Sequence, residues 1–196
     1  MLGLNRTLTT LSLRSLRLAD ESAQFLADAL RVNTALTSLD LGANRVRAAG
    51  AQALADVLAD AADAARRSGT PHKPPLKTLE LGHNALGDEG AAALATAVAA
   101  DSSLAKLSVA HCGIRDAGLA ALAKACLAPH HLEFLGAWGN DFGMAAAAAF
   151  RDVDDGDHLC GNQAVESHRR RGYDADRPWG PSQRDRAASV HELSTL

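Results

Sequence analysis

The side chains able to hold a metal ion or move a proton are scattered along this chain. The histidines are His72, His83, His111, His130, His131, His158, His168 and His191, and the cysteines are Cys112, Cys126 and Cys160. A structural or catalytic zinc needs three or four such ligands converging on one point. His83 and His111 share the same place in the repeat described below, so they are expected to stack in neighbouring units. No carboxylate or cysteine at ligand spacing completes a metal site around them. Asp157-His158-Leu159-Cys160 has the right residue types, but it lies in a stretch with no periodic pattern to fix its geometry. There is no glycine-rich phosphate loop and no nucleophile elbow. The chemistry read from these residues is therefore none: no catalytic residue, no cofactor and no metal.

The elements that would position any site come from a repeat. Leu76 to Ser103 reads LKTLELGHNALGDEGAAALATAVAADSS and holds one complete unit. Leu79 and Leu81 alternate with Thr78, Glu80 and Gly82, which predicts a short strand with one apolar face. Leu94 and Val98 lie four apart in an alanine-rich run, which predicts a helix. Units begin at Leu8, Leu36, Leu76, Leu104 and Leu132, at intervals of 28, 40, 28 and 28 residues. Eight residues after each start stand Leu16, Asn44, Asn84, Cys112 and Asn140; fourteen after stand Ser22, Gly50, Gly90, Gly118 and Ala146. Asp20, Asp88 and Asp116 share the offset of twelve, where each reads as the N-cap of its own helix. One strand plus one helix cannot bury its apolar face alone, so the unit is stable only when stacked on its copies.

The pattern L-x-x-L-x-L-x-x-(N/C)-x-L, with a 28-residue period and a helix after the glycine, resembles the ribonuclease-inhibitor type of leucine-rich repeat. The matching residues are Leu36, Leu39, Leu41, Asn44, Val46, Gly50, Leu54 and Leu58, the run from Leu76 to Val98, and Leu104, Leu107, Val109, Cys112, Ile114, Gly118, Leu122 and Cys126. The resemblance implies an α/β fold: a curved horseshoe segment with parallel strands on the concave face and helices on the convex face. The domain spans residues 1–150, with an insertion at about 60–75 and an irregular or disordered tail over 151–196. The alanine-rich start of the insertion reads as a prolonged helix and its Gly/Pro end as a surface loop. Asn44, Asn84 and Asn140 fall where the backbone leaves the strand, and a buried amide there satisfies both N–H and C=O groups. Cys112 fills the same place with a weaker donor, and Cys112 and Cys126 read as buried, inert thiols.

A binding surface is better supported than a reaction. Side chains two, four and six residues after each unit start are expected to project from the concave strands. Asp40 and Glu80 then stand side by side about 4.8 Å apart, with Arg14 and Lys106 flanking them. Phe134 and Trp138 project from the last strand, as interface anchors or as a floor beneath the C-terminal segment. These six residues form the proposed partner-binding face. The leading function is a protein-interaction scaffold without chemistry of its own. One alternative is a regulator of an enzyme, such as a GTPase activator of the Ran type. Another is a fragment of a larger repeat or receptor protein. Those activators carry a strongly acidic tail, whereas residues 151–196 hold seven arginines against nine acidic residues.

The totals agree with this reading. Aromatics are only 4% of the chain, so the core must be leucine and alanine. A net charge of -3 gives no electrostatic case for nucleic acid or an anionic membrane. No apolar run approaches the roughly 18–20 residues of a membrane span. Three cysteines without framework spacing fit a reducing compartment, cytoplasmic or nuclear. Leu4-Asn5-Arg6-Thr7-Leu8 resembles the junction Val32-Asn33-Thr34-Ala35-Leu36, so the chain reads as starting inside a repeat. Its first strand would be an uncapped edge open to self-association, or the chain continues a longer array. The abrupt change of style after Phe150 also allows a misread reading frame.

Overall fold

The computed structural model describes residues 2–68, 76–100, 103–127 and 131–155. After a short 3-10 turn at Leu2–Leu4, strands and helices alternate: β1 Thr10–Ser12, α1 Asp20–Val32, β2 Ser38–Asp40, α2 Ala48–Ser68, β3 Thr78–Glu80, α3 Gly87–Ala99, β4 Lys106–Ser108, α4 Asp116–Ala125, β5 Phe134–Gly136 and α5 Met144–Asp155. The strands form one parallel sheet in sequence order, and Ser12, Asp40, Glu80, Ser108 and Gly136 stand in one row across it. This register follows from the repeat. A slip of one residue would turn Leu39, Leu79, Leu107 and Leu135 out of the core, and all four are buried. Leu41, Leu81, Val109 and Ala137 form a second buried row.

Strand-to-helix turns are built alike in every unit. Ser15, Ala43, His83, His111 and Gly139 all take positive φ between 52° and 73°. Four of the five are not glycine, so the turn holds them against a steric preference of about 1–2 kcal/mol each. The backbone ladder runs on through this turn: His83 N–H donates to Ala110 O at 2.7 Å and His111 N–H to Trp138 O at 3.0 Å.

Asparagine then closes three of the five turns. Asn44 donates its amide to Leu13, Leu41 and Gly42 carbonyls and accepts from Leu16 and Leu18 N–H. Asn84 donates to Leu41 and Leu81 and accepts from Val46 N–H. Asn140 donates to Val109 and Ala137 and accepts from Cys112 and Ile114 N–H. Each amide thus stitches its own repeat to the one before it. Asn33, whose role was not expected, makes a similar stitch at the end of α1, donating to Leu2 and Asn5 carbonyls and accepting from Ala35 and Leu36 N–H.

The aspartates correct the capping expectation. Asp20 is the first residue of α1, whose N-cap is Ala19 without a side-chain bond. Its carboxylate instead accepts from Arg47 and Gly50 N–H, at the start of α2. Asp88 does the same for Arg115 and Gly118 at α4, and Asp116 for Gly143, Ala145 and Ala146 at α5. Neighbouring helices lie side by side, so a carboxylate in the first turn of one reaches the open N–H groups of the next. This close approach explains the repeated glycine. A Cβ on Gly118 would lie 2.7 Å from the Asp88 carboxylate, and one on Gly50 2.8 Å from that of Asp20.

One boundary differs from expectation. Helix α5 runs past Phe150 to Asp155 and buries Val153, one residue before the position expected to close the stripe, so the packed array extends into the stretch read as tail. Helix α2 does continue through the alanine-rich insertion, to Ser68. The Gly/Pro loop at 69–75 and residues 156–196, with the expected disorder, the frame question and the covering of Phe134 and Trp138, lie outside the described residues. At the other end the first unit is open. Its Leu11 and Leu13 are only partly buried, Leu16 is 57% exposed and Phe25 76% exposed.

Candidate functional site: the inner face of the sheet

The concave face is a grid whose rows the register fixes. Thr10, Ser38, Thr78, Lys106 and Phe134 form the first row, and Ser12, Asp40, Glu80, Ser108 and Gly136 the second. Arg14, Gly42, Gly82, Ala110 and Trp138 follow two residues later, on the same face. All six residues proposed from the sequence therefore lie on this one surface, with Asp40 and Glu80 as direct cross-strand partners.

Their surroundings differ. Asp40 accepts from Ser12 Oγ at 2.9 Å and from Gly42 N–H at 2.8 Å, and the Arg14 guanidinium lies over Gly42 beside it. Among the described residues neither Arg14 nor Lys106 forms a salt bridge with Asp40 or Glu80; the ion pairs there join Arg31 to Asp28 and Asp60 on the convex side. Phe134 and Trp138 come together over a glycine. A Cβ on Gly136 would meet Trp138 Cζ3 at 2.8 Å and Phe134 Cε1 at 3.2 Å. Trp138 remains 37% exposed, so the pair forms a partly exposed aromatic ledge. Sequence reasoning passed over Ser108, because a serine in a strand row carries no spacing signal.

His83 and His111 do stack, with ring centroids 4.6 Å apart and planes 16° from parallel. Gly139 ends the row, and a side chain there would overlap the His111 ring. Among the described residues no three histidine, cysteine, aspartate or glutamate side chains cluster as metal ligands. Burial pushes the Cys112 thiol up to about 11, against the smaller opposing effect of backbone N–H groups at Asn84 and His83. That thiol donates to Leu81 O at 3.2 Å and Ala110 O at 3.4 Å, in place of an asparagine amide.

Comparison with known proteins agrees with this geometry. A family model described as Leucine Rich repeat matches residues 32–55, 72–95 and 100–123, each stretch taking in one strand and the start of the helix after it. The fold is a leucine-rich-repeat solenoid. Its first and last repeats lie outside the matched stretches, and the sheet shows them to be built on the same plan. The chain is similar to a solved structure of "Leiomodin-1 Actin-Binding Site 2 (ABS2)" at 19% identity and a TM-score of 0.54, over 83% of this chain and 88% of that one. No curated protein matches.

Proposed function

We propose that this leucine-rich-repeat chain is a protein-interaction scaffold of the ribonuclease-inhibitor-like type, acting through its concave face and without catalysis of its own. The observation that carries the reading is the ledge of Phe134 and Trp138 over Gly136, held on a sheet whose strands are locked by buried leucines. A large aromatic face on a rigid element is a low-entropy anchor for a partner. Asp40, Glu80, Arg14 and Lys106 around it give the polar rim that sets register and selects against wrong partners. The full α-helix in each repeat and the 28-residue interval support the ribonuclease-inhibitor-like assignment. No helix among the described residues is long and apolar enough to cross a membrane.

The test is a photo-crosslinking residue at Thr78 on the concave β3 or, as the contrast, at Ala92 on the exposed side of α3. A partner should be captured from Thr78 and lost when Trp138→Ala is added. Capture from Ala92 alone would sink the reading. The open first repeat favours a second contact, with another copy of the chain through Leu16 and Phe25. Phe25→Glu should then lower the apparent mass in sedimentation at high concentration.

A further inference from the structure

Ser108 is a buried polar side chain, 4% exposed, without a hydrogen-bond partner among the described residues. Such a group is costly to leave unpaired. Its direction follows from its neighbours: a Cβ on Gly136 would lie 3.4 Å from Ser108 Oγ, and one on Gly82 3.7 Å from it. Those Cβ directions point out of the concave face, so the hydroxyl stands on that face among Gly82, Ala110 and Gly136.

Two kinds of group surround it. Glu80 is its cross-strand partner on one side, and Phe134 and Trp138 close over Gly136 on the other. Glu80 differs from Asp40, whose oxygens are taken by Ser12 and Gly42. Among the described residues Glu80 accepts no side-chain hydrogen bond and enters no ion pair. A carboxylate and a hydroxyl, both without donors among the described residues, beside a partly exposed indole suit a cation that carries N–H groups. The carboxylate supplies charge, the hydroxyl accepts, and the ring attracts the cation through its quadrupole.

We propose that Glu80, Ser108 and Trp138 together receive the basic side chain, arginine before lysine, of an extended segment of a partner protein. This rests on the concave-face reading and specifies the partner's chemistry. Arginine is favoured because its planar guanidinium stacks on indole while still donating at its edge. Lys106 projects from the same face two residues before Ser108 and repels an entering cation, so the approach is from the Trp138 side.

The full chain is titrated with a fluorescein-labelled Gly/Ser peptide bearing alternate arginines and with its glutamate counterpart. The Trp138 indole N–H resonance reports local contact. The arginine peptide should bind and shift that resonance, and the glutamate peptide should do neither. Glu80→Gln and Trp138→Ala should each weaken binding about tenfold. Ser108→Ala, which keeps the shape of the site, should weaken it several-fold, whereas Lys106→Ala should strengthen it. Equal binding of the two peptides, or Glu80→Gln and Ser108→Ala without effect, overturns the proposal. Binding that appears only after Arg169, Arg170 and Arg171 are changed to serine overturns the external occupant, since the chain's own run then holds the site. Partner crosslinks at Thr78 with no arginine binding would remove the basic occupant and keep the surface. Crosslinks at Ala92 alone would remove the surface itself.

Discussion

Cys112 stands where three other repeats place an asparagine, and its chemistry there is measurable. Its thiol donates to the Leu81 and Ala110 carbonyls, so it fills the donor role of the amide with a weaker group. Burial raises its pKa from the ordinary 9.0 to about 11. The unfolded chain releases this proton near the lower value and the folded chain near the higher, so the associated stability is complete below about pH 9 and falls as pH rises toward 11. The stability gap between the wild type and Cys112→Ala, measured by urea unfolding, should therefore be constant from pH 7 to about 9 and narrow above it. A gap that widens with pH would show that the thiol is not held neutral by the core. Cys112→Asn should remove the pH dependence and retain the stitch, because an amide does not titrate.

At the scale of elements, helices are capped by the repeat before them. Asp88 joins the first turn of α3 to the N–H groups of α4, and Asp20 and Asp116 serve α2 and α5 in the same way. The corresponding residue for α3 is Ala48, and among the described residues that helix has no side-chain cap. Asp88→Ala should cost about 0.5–2 kcal/mol, read as a lower melting temperature, while Asp88→Asn keeps the acceptor and should cost less. Glu89→Ala, in the same turn but without such a bond among the described residues, is the control. If Asp88→Ala and Glu89→Ala melt alike, the carboxylate is not acting across the repeat junction.

The whole molecule is a one-dimensional stack, so stability is local and passes between neighbours. The inner repeats bury Leu39, Leu41, Leu79, Leu81, Leu107 and Val109 completely, whereas the first leaves Leu11 and Leu13 partly covered. Amide exchange should thus be fastest in β1 and α1 and slowest in β3, β4 and the helices behind them. Uniform protection along the array would contradict a nearest-neighbour stack. The ordering bears on function, because Glu80 and Ser108 sit on the firmer strands β3 and β4, where a binding geometry is held without ordering cost.

The repeat was legible in the chain because burying a leucine imposes a fixed spacing on strand and helix alike. Leu36 to Leu58 shows six apolar positions, the turn asparagine and the helix glycine without any structure. The stacking of His83 on His111 was readable for the same reason, since equal offsets become neighbours in space. What one repeat does to the next was decided only by the tertiary arrangement. Asp20, Asp88 and Asp116 look like caps of their own helices, and only the lateral distance between helices assigns them to the following one. Val153 continues the core because helix phase can slip by one residue, which a strict period does not anticipate. Ser108 and the left-handed turns at Ala43, His83 and His111 leave no spacing signal, because exposure and backbone sign depend on atoms brought in from neighbouring repeats.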